Sequence, residues 1–191
     1  KKLSPVDVAN TCLKQALKYN PAMNALCFME ESAFMRGAKA SEKRWMKGDP
    51  RGSLDGIPVT IKDWFDVKGW PTRYGSLLSS DMPQPADSPP VARLRKEGAL
   101  FMAKTTLPEY GHKGATHSPL TGVTRNPWNI EKTPGGSSGG AAAAAATGMG
   151  FLHLGSDAGG SLRIPASFSG VVGFKPSPGR VPSWPPSLFS T

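Results

Sequence analysis

Between Gly135 and Ala146 no side chain is larger than that of serine: Gly-Gly-Ser-Ser-Gly-Gly runs straight into six alanines. Alanine is the strongest helix former, and Gly148 supplies a stop, so the spacing predicts a helix over 141–146. Such a helix has no bulky face from which to build a core of its own. It is stable only where another element approaches its backbone closely, which small side chains permit. The run therefore reads as a helix laid tightly on a β-sheet rather than as a low-complexity linker.

The rest of the pattern supplies that sheet. Ser4-Pro5 reads as a helix cap followed by proline in the first turn, with Ala9, Cys12, Leu13, Ala16 and Leu17 recurring at helical spacing until Asn20-Pro21 ends the helix. A short strand at 25–29 follows, then a second helix through Phe34, Ala38, Ser41 and Trp45 that Gly48 stops. Gly56 to Ile61 reads as a buried strand leading into Lys62 and Asp63. Beyond it lie a helix through Val91 and Leu94, a strand at 100–103, a strand at 151–154 and another at 171–174. Alternating strands and helices predict an α/β fold, a mixed sheet sandwiched between helices, with ligand sites at strand ends. Two segments are expected: a helical lead-in over 1–50 and the α/β domain over 51–191.

Composition narrows the function classes. A chain of 191 residues can bury about 70% of its unfolded surface, enough for a real core. The net charge of +9 is dispersed along the chain, and clusters such as Arg93, Arg95 and Lys96 read as the solvated face of one helix, so nucleic-acid binding is not expected. No apolar run approaches the roughly 20 residues that span a bilayer. Cys12 and Cys27 form no CxxC and are too few for a zinc site; as reduced core thiols they point to a cytoplasmic location. The chain opens on Lys1 rather than Met, so the absence of a signal peptide carries little weight.

The residues able to do chemistry sit in two glycine–serine clusters. The first satisfies G-x-S-x-G in two registers, centred on Ser137 and Ser138, but a hydrolase of the nucleophile-elbow type also needs a downstream acid and histidine. The only later histidine, His153, lies inside an apolar strand; His112 and His117 fall in a loop. The lysine of a phosphate-binding loop is absent as well. The second cluster, Gly155 to Ala166, follows a strand directly. Gly159 and Gly160 leave backbone N–H groups unshielded beside Ser161, as an oxyanion hole requires when an adjacent hydroxyl attacks a carbonyl. Asp157 and Arg163 flank the loop with opposite charges, and an ion pair fixing the turn is the simplest role for them.

A serine nucleophile needs a base, and with histidine excluded a lysine made neutral by burial is the remaining candidate. Lys62 ends an apolar strand, whereas most other lysines lie on polar helix faces or in loops. To act near neutral pH its pKa must fall from about 10.4 to near 7, a cost of about 4 kcal/mol within reach of desolvation. On spacing alone, an ordinary surface lysine is the simpler reading. Trp64 and Trp70 could line an acyl pocket, with core packing the simpler role for each.

Together these pieces resemble the amidase signature family. The resemblance covers most of the chain, through GIPVTIKD, TRNPWN, TPGGSSGG, GSDAGGSLRIPA and GVVGFKPSPGRVP. It implies a Ser, cis-Ser, Lys triad: Lys62 as the base, Ser137 as the relay after a cis peptide bond from Gly136, and Ser161 as the nucleophile. It further implies an oxyanion hole from the amides of Ala158, Gly159, Gly160 and Ser161, with Ser138, Asp157 and Arg163 in support. The implied activity is hydrolysis of a small-molecule carboxylic amide without metal or cofactor, and with neither nucleic acid nor membrane as partner. Trp64, at a position where the A chain of glutamyl-tRNA amidotransferases usually carries asparagine, and Tyr110 to Gly114 favour a stand-alone amidase over that component. Family members are much longer than this chain, so the fold is expected to be incomplete on its C-terminal side. A homodimer, a complementary C-terminal segment, or a non-catalytic half-domain needing a complementary chain are the corresponding expectations.

Overall fold

The computed structural model describes residues 3–184. Four helices of eight residues or more and a four-stranded sheet make the body. Helix α1 (Pro5–Met23) starts where expected: the Ser4 hydroxyl accepts from the amides of Val6 and Asp7, and Asp7 accepts from the Ser4 amide, a closed capping box. It runs through Pro21 instead of stopping there. Proline removes only the bond its own N–H would have made, and the exit is organised by two asparagines. Asn24 adopts the left-handed conformation and returns its amide to the Asn20 carbonyl, while Asn20 Oδ1 accepts from the amides of Ala25 and Leu26.

Strand β1 (Leu26–Met29) follows, then helix α2 (Glu31–Lys47), capped by left-handed Gly48. Strand β2 (Pro58–Lys62), helix α3 (Pro89–Lys96) and strand β3 (Leu100–Thr105) come next. A two-residue hairpin, β4 (His117–Ser118) and β5 (Gly122–Val123), precedes helix α4 (Gly139–Ala146), strand β6 (Leu152–Leu154) and helix α5 (Arg163–Ser169). The sheet order is β1-β3-β2-β6, with β2 parallel to β3 and to β6, and β1 antiparallel to β3. Among the described residues the lead-in thus contributes one edge strand and β6 forms the other.

Two apolar layers cover the sheet. On one face α1, α2 and the alanine helix α4 pack around Cys12, Leu13, Phe34, Met102 and Met149. On the other, Val59, Ile61 and Phe101 pack against Val91 of α3 and against Val67 and Trp70. Trp70 is core, as expected, its indole N–H donating to Glu30 at 2.8 Å. The close approach inferred for α4 is literal: a Cβ added to Gly140 would lie 2.5 Å from the Thr106 amide nitrogen and 2.6 Å from the Ala25 carbonyl oxygen.

The strand expected at 171–174 does not form. That segment carries no assigned secondary structure and pairs with no strand among the described residues, and Val172 and Phe174 are exposed. The TRNPWN motif acts instead as a brace: Asn126 Nδ2 donates to the carbonyls of Thr133 and Phe168, and Trp128 Nε1 donates to Ser169, tying α5 to the approach of the first glycine–serine cluster. Lys1 lies outside the described residues. Among the described residues no helix is long and apolar enough to cross a membrane.

Candidate active site

Parallel β2 and β6 both end, at their C-terminal sides, beside the N-terminus of α4. Alternation along β2 sends Val59 and Ile61 to the α3 face and Thr60 and Lys62 to the α4 face. Lys62 is therefore carried inward with no solvent exposure. Its Nζ donates to Ser137 Oγ at 2.7 Å and to Ser156 Oγ at 2.8 Å. Burial drives its pKa down from the ordinary 10.5 to about 7, opposed in part by the negative charge of Asp157. At neutral pH the amine form is thus well populated. A neutral amine carries two N–H bonds and one lone pair; with one N–H on Ser156, the lone pair is free to accept the Ser137 proton.

Ser137 sits just ahead of α4, and the Gly136–Ser137 peptide bond is cis. Ser138 clamps the two glycine–serine clusters together. Its amide donates to the Ser161 carbonyl at 3.1 Å, its hydroxyl donates to the Ser156 carbonyl at 3.2 Å, and the Ser156 amide returns to that hydroxyl at 3.3 Å. This brings the Ser161 backbone against the turn holding Ser137. The final leg is open: among the described residues no hydrogen bond joins the Ser137 and Ser161 hydroxyls.

Asp157 organises the loop in between. It receives Arg163 in a two-point ion pair, Nε at 2.9 Å and Nη2 at 3.0 Å, and the amides of Gly160, Leu162 and Arg163. Burial would raise its pKa, but the guanidinium and the three amides outweigh that and hold the carboxyl well below the usual range. One expectation changes as a result. The Gly160 amide, placed with the oxyanion donors, is directed at Asp157 Oδ1 at 2.7 Å, because a desolvated carboxylate requires donors. The amides of Ala158, Gly159 and Ser161 have no hydrogen-bond partner among the described residues.

Ser156 was not singled out from the sequence, although it follows directly on the glycine that ends β6. Trp64 is also placed differently from the expectation of core packing. It is partly exposed, with its ring centroid 6.0 Å from Lys62 Nζ. His153 is remote from this chemistry: its Nδ1 lies 2.8 Å from Thr60 Oγ1, and burial lowers its pKa from 6.5 to about 4, so it stays neutral. No group of His, Cys, Asp and Glu suited to a metal occurs among the described residues.

A family model described as Amidase matches residues 7–188. The chain belongs to the amidase family. It is 40% identical to an indoleacetamide hydrolase of Bradyrhizobium diazoefficiens over 95% of this chain and 35% of that protein. It is 44% identical to the A component of the mitochondrial glutamyl-tRNA(Gln) amidotransferase of Ixodes scapularis, over 95% of this chain and 37% of that protein. An amidase crystal structure superposes with a TM-score of 0.90 at 43% identity, covering 95% of this chain and 42% of that one. This amidase-family chain therefore spans well under half the length of the relatives it matches, and its mixed α/β sheet is the fold they share.

Proposed function

We propose that the chain carries the catalytic core of an amidase that hydrolyses the C–N bond of a carboxylic amide through an acyl-enzyme on Ser161. The observation that carries this reading is a lysine without solvent contact, held near pH 7 and hydrogen-bonded to Ser137 at 2.7 Å. Neutral Lys62 takes the Ser137 proton as Ser137 takes that of Ser161, and Ser161 Oγ bonds to the amide carbon. The developing oxyanion is received by the amides of Ala158, Gly159 and Ser161. The proton then passes from Lys62 through Ser137 to the amide nitrogen, the C–N bond breaks, and ammonia or an amine leaves. Water enters by the same relay, attacks the ester and releases the acid and Ser161. Every proton in the cycle is returned, and the cycle calls on no cofactor.

The free thiols of Cys12 and Cys27, both pushed above their ordinary pKa by burial, suit a reducing compartment such as the cytoplasm. The chain's short coverage of its relatives makes a complementary segment, a complementary chain or a second copy part of this reading.

A fluorophosphonate followed by intact mass tests it. The expected result is one adduct on Ser161, absent in Ser161→Ala and strongly slowed in Lys62→Met. Folded protein that takes no label would overturn the reading in favour of a non-catalytic half-domain. The 44% identity to an amidotransferase component supports a second reading, in which the released ammonia is passed to glutamyl-tRNA. Ammonia transfer that requires added amidotransferase partners and charged tRNA would select it.

A further inference from the structure

At the end of the sheet away from Lys62, a cleft of about 390 Å³ opens beside β3. Its origin is the shortness of β1. That strand reaches only as far as Ala103 along β3 before Glu30 leads the chain into α2, so among the described residues Leu100 to Met102 have a strand neighbour on the β2 side alone. The part of α2 that borders the gap carries Ala33, Gly37 and Ala40, too small to fill it. Leu100 pairs with Pro58 at the start of β2, whereas Lys62 ends that strand, which puts the cleft roughly 13 Å along the sheet from the lysine-bearing end.

The floor of the cleft is apolar. Phe34 and Leu100 come from one core layer, and Val67, Trp70 and Phe101 from the other, so the cleft lies where the two layers meet at the border of the sheet. The rim is basic. Arg44, Arg51, Lys68 and Arg95 line it, with Glu30 as the one carboxylate among the lining residues. Two of these cations are neutralised in place. Arg44 makes a two-point ion pair with Asp55, Nε at 2.7 Å and Nη2 at 2.5 Å, and Arg95 makes one with Asp87, Nε at 2.5 Å and Nη2 at 2.8 Å.

The same two aspartates fix the backbone of the other two cations. Asp55 also accepts from the Arg51 amide at 2.8 Å, and Asp87 from the Lys68 amide at 2.7 Å. Each carboxylate thus anchors one loop at the mouth of the cleft while its charge is met by an arginine. The side chains of Arg51 and Lys68 are left exposed, and among the described residues they make no hydrogen bond or ion pair. Glu30 accepts from the Trp70 indole N–H.

We propose that this cleft binds an amphiphilic organic anion, its carboxylate head at the Arg51 and Lys68 rim and its apolar body on the floor of Phe34, Trp70, Leu100 and Phe101. Rim and floor together select that class. A guanidinium and an ammonium on anchored backbone supply the charge-assisted donors that a carboxylate fits, and the volume is that of a small-molecule site with mainly apolar walls and a few placed polar groups. An inorganic anion would leave the floor unused, and a neutral apolar molecule would leave both cations without a partner. The inference is independent of the amidase reading, because this second site shares no residue with the reacting groups.

The test is a titration of the intact protein with octanoate, read by calorimetry and by the NMR signal of the Trp70 indole N–H, which joins the floor to Glu30 on the rim. Octanoate is expected to bind with a Kd of about 1 mM or tighter and to shift that signal. Octan-1-ol and inorganic phosphate should each bind at least tenfold more weakly. Arg51→Ser combined with Lys68→Ser keeps both anchoring amides and should weaken octanoate at least tenfold; Arg51→Lys combined with Lys68→Arg should restore it. Lys62→Met should leave the Trp70 response unchanged, which separates this site from any carboxylate held at the reacting groups. Octan-1-ol or phosphate binding as tightly as octanoate would overturn the inference. So would an affinity unmoved in the serine double variant, a Trp70 response lost in Lys62→Met, or no response in wild type.

Discussion

Lys62 and Lys104 stand on neighbouring strands, both without solvent contact, and face opposite sides of the sheet. Ile61, not Lys62, is paired with Lys104 across the parallel ladder. Lys104 is saturated: it makes an ion pair with Asp63 at 3.1 Å and donates to the carbonyls of Phe65 and Pro71 and to Thr72 Oγ1. Lys62 meets two hydroxyls and, among the described residues, no carboxylate within ion-pair distance. The same residue type thus meets a carboxylate and three further oxygens in one place and only hydroxyls in the other.

Removing one partner of the Lys104–Asp63 pair leaves the other buried and uncompensated. Lys104→Met is expected to cost about 3–5 kcal/mol of stability. Urea unfolding at pH 7 checks this, and the double variant Lys104→Met with Asp63→Asn should recover part of the loss.

Activity should follow the charge on Lys62. Since its pKa is lowered to about 7, kcat/KM for a simple amide should rise with pH through about 7 and level off above, as the proton-accepting amine becomes the main form. Lys62→Met should reduce kcat by a factor on the order of 10² to 10⁴. A profile whose acid limb lies near pH 9 or above would contradict the assignment.

The same shift has a stability consequence of definite sign. Below pH 7 folded and unfolded chains both carry the Lys62 proton, and the cost of burying the ammonium is felt in full. Between 7 and 10.5 the unfolded chain holds the proton while the folded one has released it, so folding is favoured increasingly as pH rises. Lys62→Met should accordingly be more stable than wild type near neutrality. Its advantage in urea unfolding should narrow by about 2.5 kcal/mol between pH 6.5 and pH 9.

Ser156→Ala removes one of the two acceptors around Lys62 Nζ. A loss of about tenfold in kcat is expected, with little change in KM, from a hydrogen bond of ordinary strength. Losing an acceptor also disfavours the ammonium, so the acid limb of the pH profile should move to lower pH. Ser156→Thr, which keeps the hydroxyl, should restore both.

Gly140→Ala is expected to prevent folding or to cost several kcal/mol, because its Cβ would press on backbone atoms of both Thr106 and Ala25. Gly159→Ala, whose Cβ meets nothing within 4 Å, is the matching control for expression and circular dichroism.

Much of this was legible in the residues because it depends on local pattern. Six alanines after a glycine pair allow little but a tightly packed helix, and a lysine closing the apolar run Ile57 to Ile61 has few places to go but inward. What escaped depends on partners distant in the chain. Val171 to Phe174 has strand composition, but a strand exists only with a neighbour to pair with. Pro21 looked like a terminator because the asparagine caps that shape the real exit act through side-chain geometry. Ser156 is one hydroxyl among several in its cluster, and only the folded ends of β2 and β6 reveal which one meets the lysine.

The two ends of the proposed relay are anchored unequally. Lys62 leaves β2, which has neighbours on both sides, whereas the stretch bearing Ser161 leaves β6, which among the described residues pairs on one side alone. Any loosening at that border would act first on the distance between the two hydroxyls and last on the lysine. In the proposed relay the lysine is therefore the fixed point and the Ser161 hydroxyl the adjustable one.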